Sequence, residues 1–262
     1  LANRTAFLLL CATLVIATLA YGAVHQPIIA LFYVAMAAAA VLWAIDCFKT
    51  GTVRYSTSLL QLPLIFAAAY GLIQVIPFGS ITETAGLAGI PRTISVFPFA
   101  TLQSSLHFLA LALFFAVMLA ALDTASRIRR VVILITVFGF GFAFFAILQS
   151  VLSPDKIYGI YETRFGSPFG SFVNRHNFAA YMEMSMALPL GLMFTGAVAR
   201  DKRLLYVTGI ALMGVALLLS GSRGGLVAFF AQLVFLVLVT VGTRSRRNIA
   251  LKVALVVLLF AA

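Results

Sequence analysis

Asn174, Arg175, His176 and Asn177 stand in a row inside the stretch GSFVNRHNFAAYMEM (170–184), immediately before an apolar run. A second polar knot, SGSRGG (220–225), also opens onto an apolar run. An arginine fork holds phosphate or carboxylate oxygens in a bidentate way that lysine cannot. Histidine is the side chain that exchanges protons near neutral pH, and glycine lets the backbone come close to a ligand. Together these residue types suit an anion held where a hydrophobic element begins. They equally suit helix caps and contacts with lipid headgroups, so the surrounding elements must decide between the two. SGSRGG is neither a P-loop, lacking the Gly-Lys-Ser/Thr ending, nor a nucleophile elbow, since Ser220 stands where the first glycine of G-x-S-x-G belongs.

Of the 262 residues, 63% are hydrophobic and 10% are charged, against roughly 25% charged in soluble domains. The composition predicts an all-α, polytopic transmembrane helical bundle, read as a single integral membrane domain over 1–262. A span needs ~20 apolar residues. Nine candidate spans follow: Thr5 to Val24, Ile28 to Ile45, Leu59 to Ile76, Thr101 to Leu122, Val131 to Leu152, Asn177 to Ala199, Leu204 to Leu219, Gly224 to Val241, and Ile249 to the end. The ninth is short, and the chain has no initiator Met, so a fragment of a longer protein is expected, with a C-terminal part missing. The first span is read as a retained helix rather than a cleaved signal, because the second follows at once. Cys11 and Cys47 have no metal-like spacing and read as inert thiols.

The net charge of +11 would suggest nucleic acid in a soluble protein, but here its distribution sets orientation. With the N-terminus on one side and loops alternating, 13 of the 18 Lys and Arg residues fall on the N-terminal side. The positive-inside rule makes that side cytoplasmic. Basic runs then serve topology and anionic membrane lipid, and no nucleic-acid role is expected. The five outer cations, Arg92, Lys156, Arg164, Arg175 and Arg223, are informative because topology disfavours them. The outer loops are placed at about 77–100 and 153–176.

Helices six and eight both run inward, so both N-termini point outward. Each is expected to present unsatisfied backbone N–H groups and the positive end of the helix dipole, an anion site. Asn174 or Asn177 is the expected cap of helix six, and Ser220 or Ser222 that of helix eight. With Arg175 beside one start and Arg223 beside the other, the pair suits a diphosphate. Glu183 is the acid well inside a span, so it needs a partner or a wet cavity. It shares a helix face with His176 and Ala180, about 10 Å below His176 at 1.5 Å rise per residue. Its three readings are tuning His176, holding an arginine and bonding a neighbouring helix.

His107 reads as a helix–helix hydrogen-bond partner, and His25 sits in a tight turn. Three histidines at these spacings form no metal site. Gln61, Gln74, Gln149 and Gln232 read as interhelical contacts, and Pro189 as a kink in helix six. Tyr158, Tyr161, Phe165, Phe169 and Phe172 make the outer loop aromatic, suiting either an interface belt or stacking on a sugar ring.

GSPFGSFVNRHNFAAYMEMSMALPLGLMF, then LLLSGSRGGLVAFFAQLVF one helix later, resembles the O-antigen ligase and polymerase superfamily of Wzy-like membrane glycosyltransferases. ISVFPFATLQSSLHFLALALFF upstream is similar as well, so the resemblance covers roughly 95–241. It implies a metal-independent, cofactor-free enzyme of the bacterial inner membrane, working at the periplasmic face. Such an enzyme transfers a glycan from undecaprenyl diphosphate to an acceptor: lipid A core, a growing polysaccharide or protein. By motif match, Arg175 and Arg223 would bind the diphosphate, with Asn174 and Asn177 shaping the site; Ser222 and Glu183 are counted with them as candidate substrate-binding residues. Ligases of this family use a histidine base in a large outer loop that would lie beyond Ala262; His176 is the substitute within these residues. Two other readings remain. A transporter or flippase of an anionic lipid-linked substrate would also want outer arginines. A peptidoglycan-type polymerase would want an outer acid such as Asp155 or Glu162.

Overall fold

The computed structural model describes residues 2–79, 92–163 and 166–241. Among them the chain is a helical bundle of α1 (Ala2–Leu19), α2 (Gln26–Thr50), α3 (Leu62–Val75), α4 (Pro98–Ala121), α5 (Ala125–Leu152), α6 (Arg175–Thr195), α7 (Arg203–Leu219) and α8 (Arg223–Val241). Seven of these are long and apolar enough to cross a membrane; α3 is the shorter exception. With the 3-10 turn Leu59–Gln61 before it, α3 only just reaches the ~17-residue lower limit of a span. The expected ninth span, from Ile249, lies outside the described residues. Large apolar side chains such as Val34, Phe66, Val137 and Val227 face outward with 63–70% of their surface exposed. Hydrocarbon tolerates such faces, which water would penalise.

The chain divides into two compact units. The first comprises Leu1–Thr13 and Ile29–Ala125. Within it α3 packs on α4, and Ser95 N–H donates to the Gln74 carbonyl at 3.0 Å where the connection returns. Tyr33 Oη lies 3.3 Å from His107 Nδ1, so His107 is the α2–α4 hydrogen-bond partner expected of it. At the opposite end, Arg54 contacts Asp123 at 2.8 Å and Asp46 at 3.9 Å, while Trp43 Nε1–H donates to the Arg54 carbonyl at 2.8 Å. Gln61 bonds the Ser56 and Ser58 carbonyls, a local turn contact rather than an interhelical one.

The second unit comprises Leu14–Ile28 and Ser126–Ala262. Here α6 is the central element. Phe178, Ala179, Met182 and Met186 on α6 are fully buried, together with Ala143 and Ala146 of α5, Met213 and Ala216 of α7 and Leu233 of α8. α6 and α8 run parallel, because contacts pair their starts and continue in the same order. A Cβ on Gly225 would lie 2.7 Å from the Ala179 Cβ, closer than real atoms approach. Without a hydrophobic force between helices in lipid, such small-residue contacts let packing and polar bonds hold them. One to two turns deeper, with its amide assigned in the orientation that satisfies both neighbours, Gln232 donates to the Glu183 carbonyl at 3.1 Å and accepts from Ala187 N–H at 3.2 Å, the interhelical contact expected of it. Pro189 is buried inside α6, and the helix continues to Thr195.

The connection between α5 and α6 carries a small antiparallel pair, β1 (Lys156–Ile157) and β2 (Tyr161–Glu162). Gln149 anchors it. This buried side chain donates to the Gly170 carbonyl at 2.7 Å and accepts from Tyr158 N–H at 2.9 Å. The interhelical role expected of Gln149 is therefore replaced by one in holding the loop. α1 ends with carbonyls that have no partner within the helix. Ser171 Oγ donates to the Thr18 carbonyl at 2.5 Å, and the Tyr158 hydroxyl to that of Leu19.

The loop aromatics turn inward. Phe169 and Phe172 are 8% exposed, and the Phe169 ring centroid lies 4.7 Å from that of Phe178. Tyr161 packs on Tyr21 and His25. Neither a membrane belt nor a sugar platform describes Phe169 and Phe172, because the loop has its own core; Phe165 lies outside the described residues.

Gly225→Val is expected to lower the detergent denaturation midpoint, costing about 1–3 kcal/mol by overpacking, whereas Gly224→Ala, whose Cβ meets nothing within 4 Å, should melt close to wild type. Gln149→Leu strands the buried Gly170 carbonyl, worth about 1–3 kcal/mol, frees the part-buried Tyr158 N–H, and should open the loop to trypsin at Lys156.

Candidate functional site

α6 and α8 begin side by side. His176 Nδ1 lies 2.9 Å from Ser222 Oγ, which joins the two polar motifs that the sequence separates by more than forty residues. Arg175 is the first residue of α6 and Arg223 the first of α8. The turn before α8 bends through Gly221, at φ +65°, and a Cβ there would sit 3.6 Å from Arg175 Nη1. The Arg175 guanidinium therefore lies against the start of α8. A β-carbon at Gly221 would both strain the turn and crowd that guanidinium.

The two helix starts differ in what they offer. At α6, Asn174 is the cap: its Oδ1 accepts from His176 N–H at 2.8 Å. Arg175 N–H donates to the Ser167 carbonyl at 2.9 Å, and Asn177 N–H to that of Asn174 at 3.1 Å. The free N–H groups expected at α6 are thus occupied, that of Arg175 by the loop folding back and those of His176 and Asn177 by the Asn174 cap.

At α8, Ser222 is the cap: its Oγ accepts from Gly225 N–H at 3.2 Å, and its carbonyl accepts from Leu226 N–H at 3.1 Å. Ser220 supports it by accepting from Ser222 N–H at 3.3 Å. The N–H groups of Arg223 and Gly224 have no hydrogen-bond partner among the described residues. Both residues are exposed, and the space above Gly224 is open. Of the two helix starts, that of α8 is therefore the one with free N–H groups among the described residues, and α6 brings the Arg175 side chain against it.

Charge pairing separates the outer cations further. Lys156 Nζ contacts Glu162 Oε1 at 2.7 Å across β1 and β2. That hydrogen bond, with the attraction between the charges, raises the lysine above and lowers the glutamate below their ordinary values. The Arg92 guanidinium stacks over Phe78, 5.4 Å from the ring centroid. Arg164 lies outside the described residues. Arg175 and Arg223 have no carboxylate partner among the described residues. Their charge is left for a ligand or solvent.

Of the remaining site residues, Asn177 is exposed and its amide bonds nothing among the described residues. Glu183 lies two turns into α6, half-buried, and its carboxylate has no ion pair or hydrogen bond there either. Its backbone carbonyl, not its side chain, takes the Gln232 amide. No group of three His, Cys, Asp or Glu side chains among the described residues could hold a metal ion. Ser220 emerges as a support for the Ser222 cap; a serine two residues before a capping serine was the available signal, though the sequence left the choice between them open.

Compared with protein-family models, curated proteins and solved structures, the chain has no significant match.

Asn174→Ala removes the α6 cap and should cost about 0.5–2 kcal/mol, read as a drop in denaturation midpoint. Asn177→Ala, which breaks no bond, should leave that midpoint unchanged.

Proposed function

We propose that this protein is a membrane glycosyltransferase that takes a glycan from undecaprenyl diphosphate at the periplasmic face of a bacterial inner membrane and passes it to a lipid, polysaccharide or protein acceptor. The observation that carries the reading is the meeting of the α6 and α8 starts, with Arg175 and Arg223 beside the open N–H groups of Arg223 and Gly224. Two arginines without acidic partners among the described residues balance the two negative charges of a diphosphate diester, and the two free N–H groups add donors for its oxygens. The resemblance of NRHN and SGSRGG to the O-antigen ligase superfamily supports the same substrate class. The distribution of Lys and Arg supports a cytoplasmic N-terminus, which puts both helix starts on the periplasmic side.

In the transfer, the acceptor hydroxyl oxygen attacks the anomeric carbon. The bond from that carbon to the diphosphate breaks, and the diphosphate leaves with the electron pair while the hydroxyl proton passes to a base. The charge that develops on the leaving oxygens is what Arg175 and Arg223 stabilise, since donors fixed in advance need no reorganisation as the bond breaks. A polymerase relying on Glu162 is less well supported, because that carboxylate is held by Lys156.

Purified protein with undecaprenyl diphosphate glycan should transfer sugar to acceptor. Arg175→Ala and Arg223→Ala should each lose on the order of 10²–10³ in rate at unchanged denaturation midpoint. Full transfer by both variants would overturn the diphosphate site.

A further inference from the structure

His176 and Ser222 are close enough to hydrogen-bond, and the direction of that bond decides what His176 can do. Ser222 is buried, with 2% of its surface exposed. Its oxygen already accepts from Gly225 N–H at 3.2 Å. A serine hydroxyl has a single proton to donate, and a buried donor left unpaired is costly. Among the described residues the acceptor in reach is His176 Nδ1, at 2.9 Å. The proton therefore points from Ser222 to the ring.

We propose that Ser222 fixes His176 as the neutral Nε2–H tautomer, so that His176 serves the anion site as a further N–H donor beside Arg175 and Arg223 and not as a general base. Nδ1 spends its lone pair on the serine, and Nε2 carries the remaining proton. A ring in that state offers no nitrogen to take a proton from an acceptor hydroxyl. It does offer one more donor to phosphate oxygens, and His176 is itself exposed. Ser222 is then a positioning residue, acting through His176 while it caps α8. The choice of ligand rests on the diphosphate reading above; the tautomer stands on the geometry by itself.

The test uses the full chain in nanodiscs, labelled with ring-15N histidine. There are three histidines, and the His176 signals are those lost in His176→Gln. At about pH 8, above the ordinary histidine range, His176 should show a protonated Nε2 and a bare Nδ1. A dominant Nδ1–H form would overturn the proposal. Ser222→Thr keeps the hydroxyl and should preserve the pattern.

Ser222→Asp keeps a capping side chain but offers only acceptors, so it should invert the ring to Nδ1–H. An unchanged ring in that variant would overturn the role given to Ser222. Inorganic pyrophosphate added to wild type should shift the Nε2–H signal, and no shift at saturating pyrophosphate would overturn the donor role. An Nε2–H ring in a protein that transfers no glycan would overturn the glycosyltransferase reading alone. A dominant Nδ1–H ring in one that does transfer would overturn this inference alone.

Discussion

The approach of α8 to α6 at Gly225 and Ala179 is the contact on which the candidate site depends. Helices in hydrocarbon gain little from hiding apolar surface, because lipid tails are as apolar as leucine. They associate where small residues let backbones come close and where polar groups find partners. Both conditions are met along this seam. Gly225 leaves no room for a side chain against Ala179, and one to two turns deeper Gln232 spans the Glu183 carbonyl and the Ala187 N–H. The seam sets the register of the two helices, which puts Ser222 opposite His176 and Arg223 in the same neighbourhood as Arg175.

The α5–α6 loop is the second part of that arrangement. It would be a poor platform as an irregular segment near lipid, since exposed backbone polar groups are costly there. Gln149, Ser171 and Tyr158 remove much of that cost by joining loop backbone to helix ends. Phe169 and Phe172 then seat the loop on Phe178, the fourth residue of α6. One consequence reaches the site directly: the loop places the Ser167 carbonyl over Arg175 N–H. With the α6 N–H groups occupied, the start of α8 is the one that keeps free N–H groups among the described residues.

Electrostatics complete the picture. Lys156 has Glu162 as its neighbour and Arg92 has an aromatic face, whereas Arg175 and Arg223 have neither acid nor aromatic partner among the described residues. An unneutralised guanidinium is stabilised by any anion that approaches it.

Composition and pattern alone were enough to establish a helical membrane bundle, because an apolar run of span length has few other stable forms. The starts at Arg175, Arg203 and Arg223 came within two residues of expectation, since each follows a polar knot at a sharp change of hydropathy. The caps were legible as pairs, Asn174 or Asn177 and Ser220 or Ser222, but the choice within each pair needed the backbone geometry at the turn. Tertiary structure decided the rest. A sequence shows that Gln149 is polar within a span, not that its two amide atoms face a loop. It shows that a helix start has free N–H groups, not that a carbonyl eight residues upstream will fold over one of them, as that of Ser167 does over Arg175 N–H. The meeting of His176 with Ser222 depends on the distance between two helix axes, which a single glycine permits but only the packed helices set.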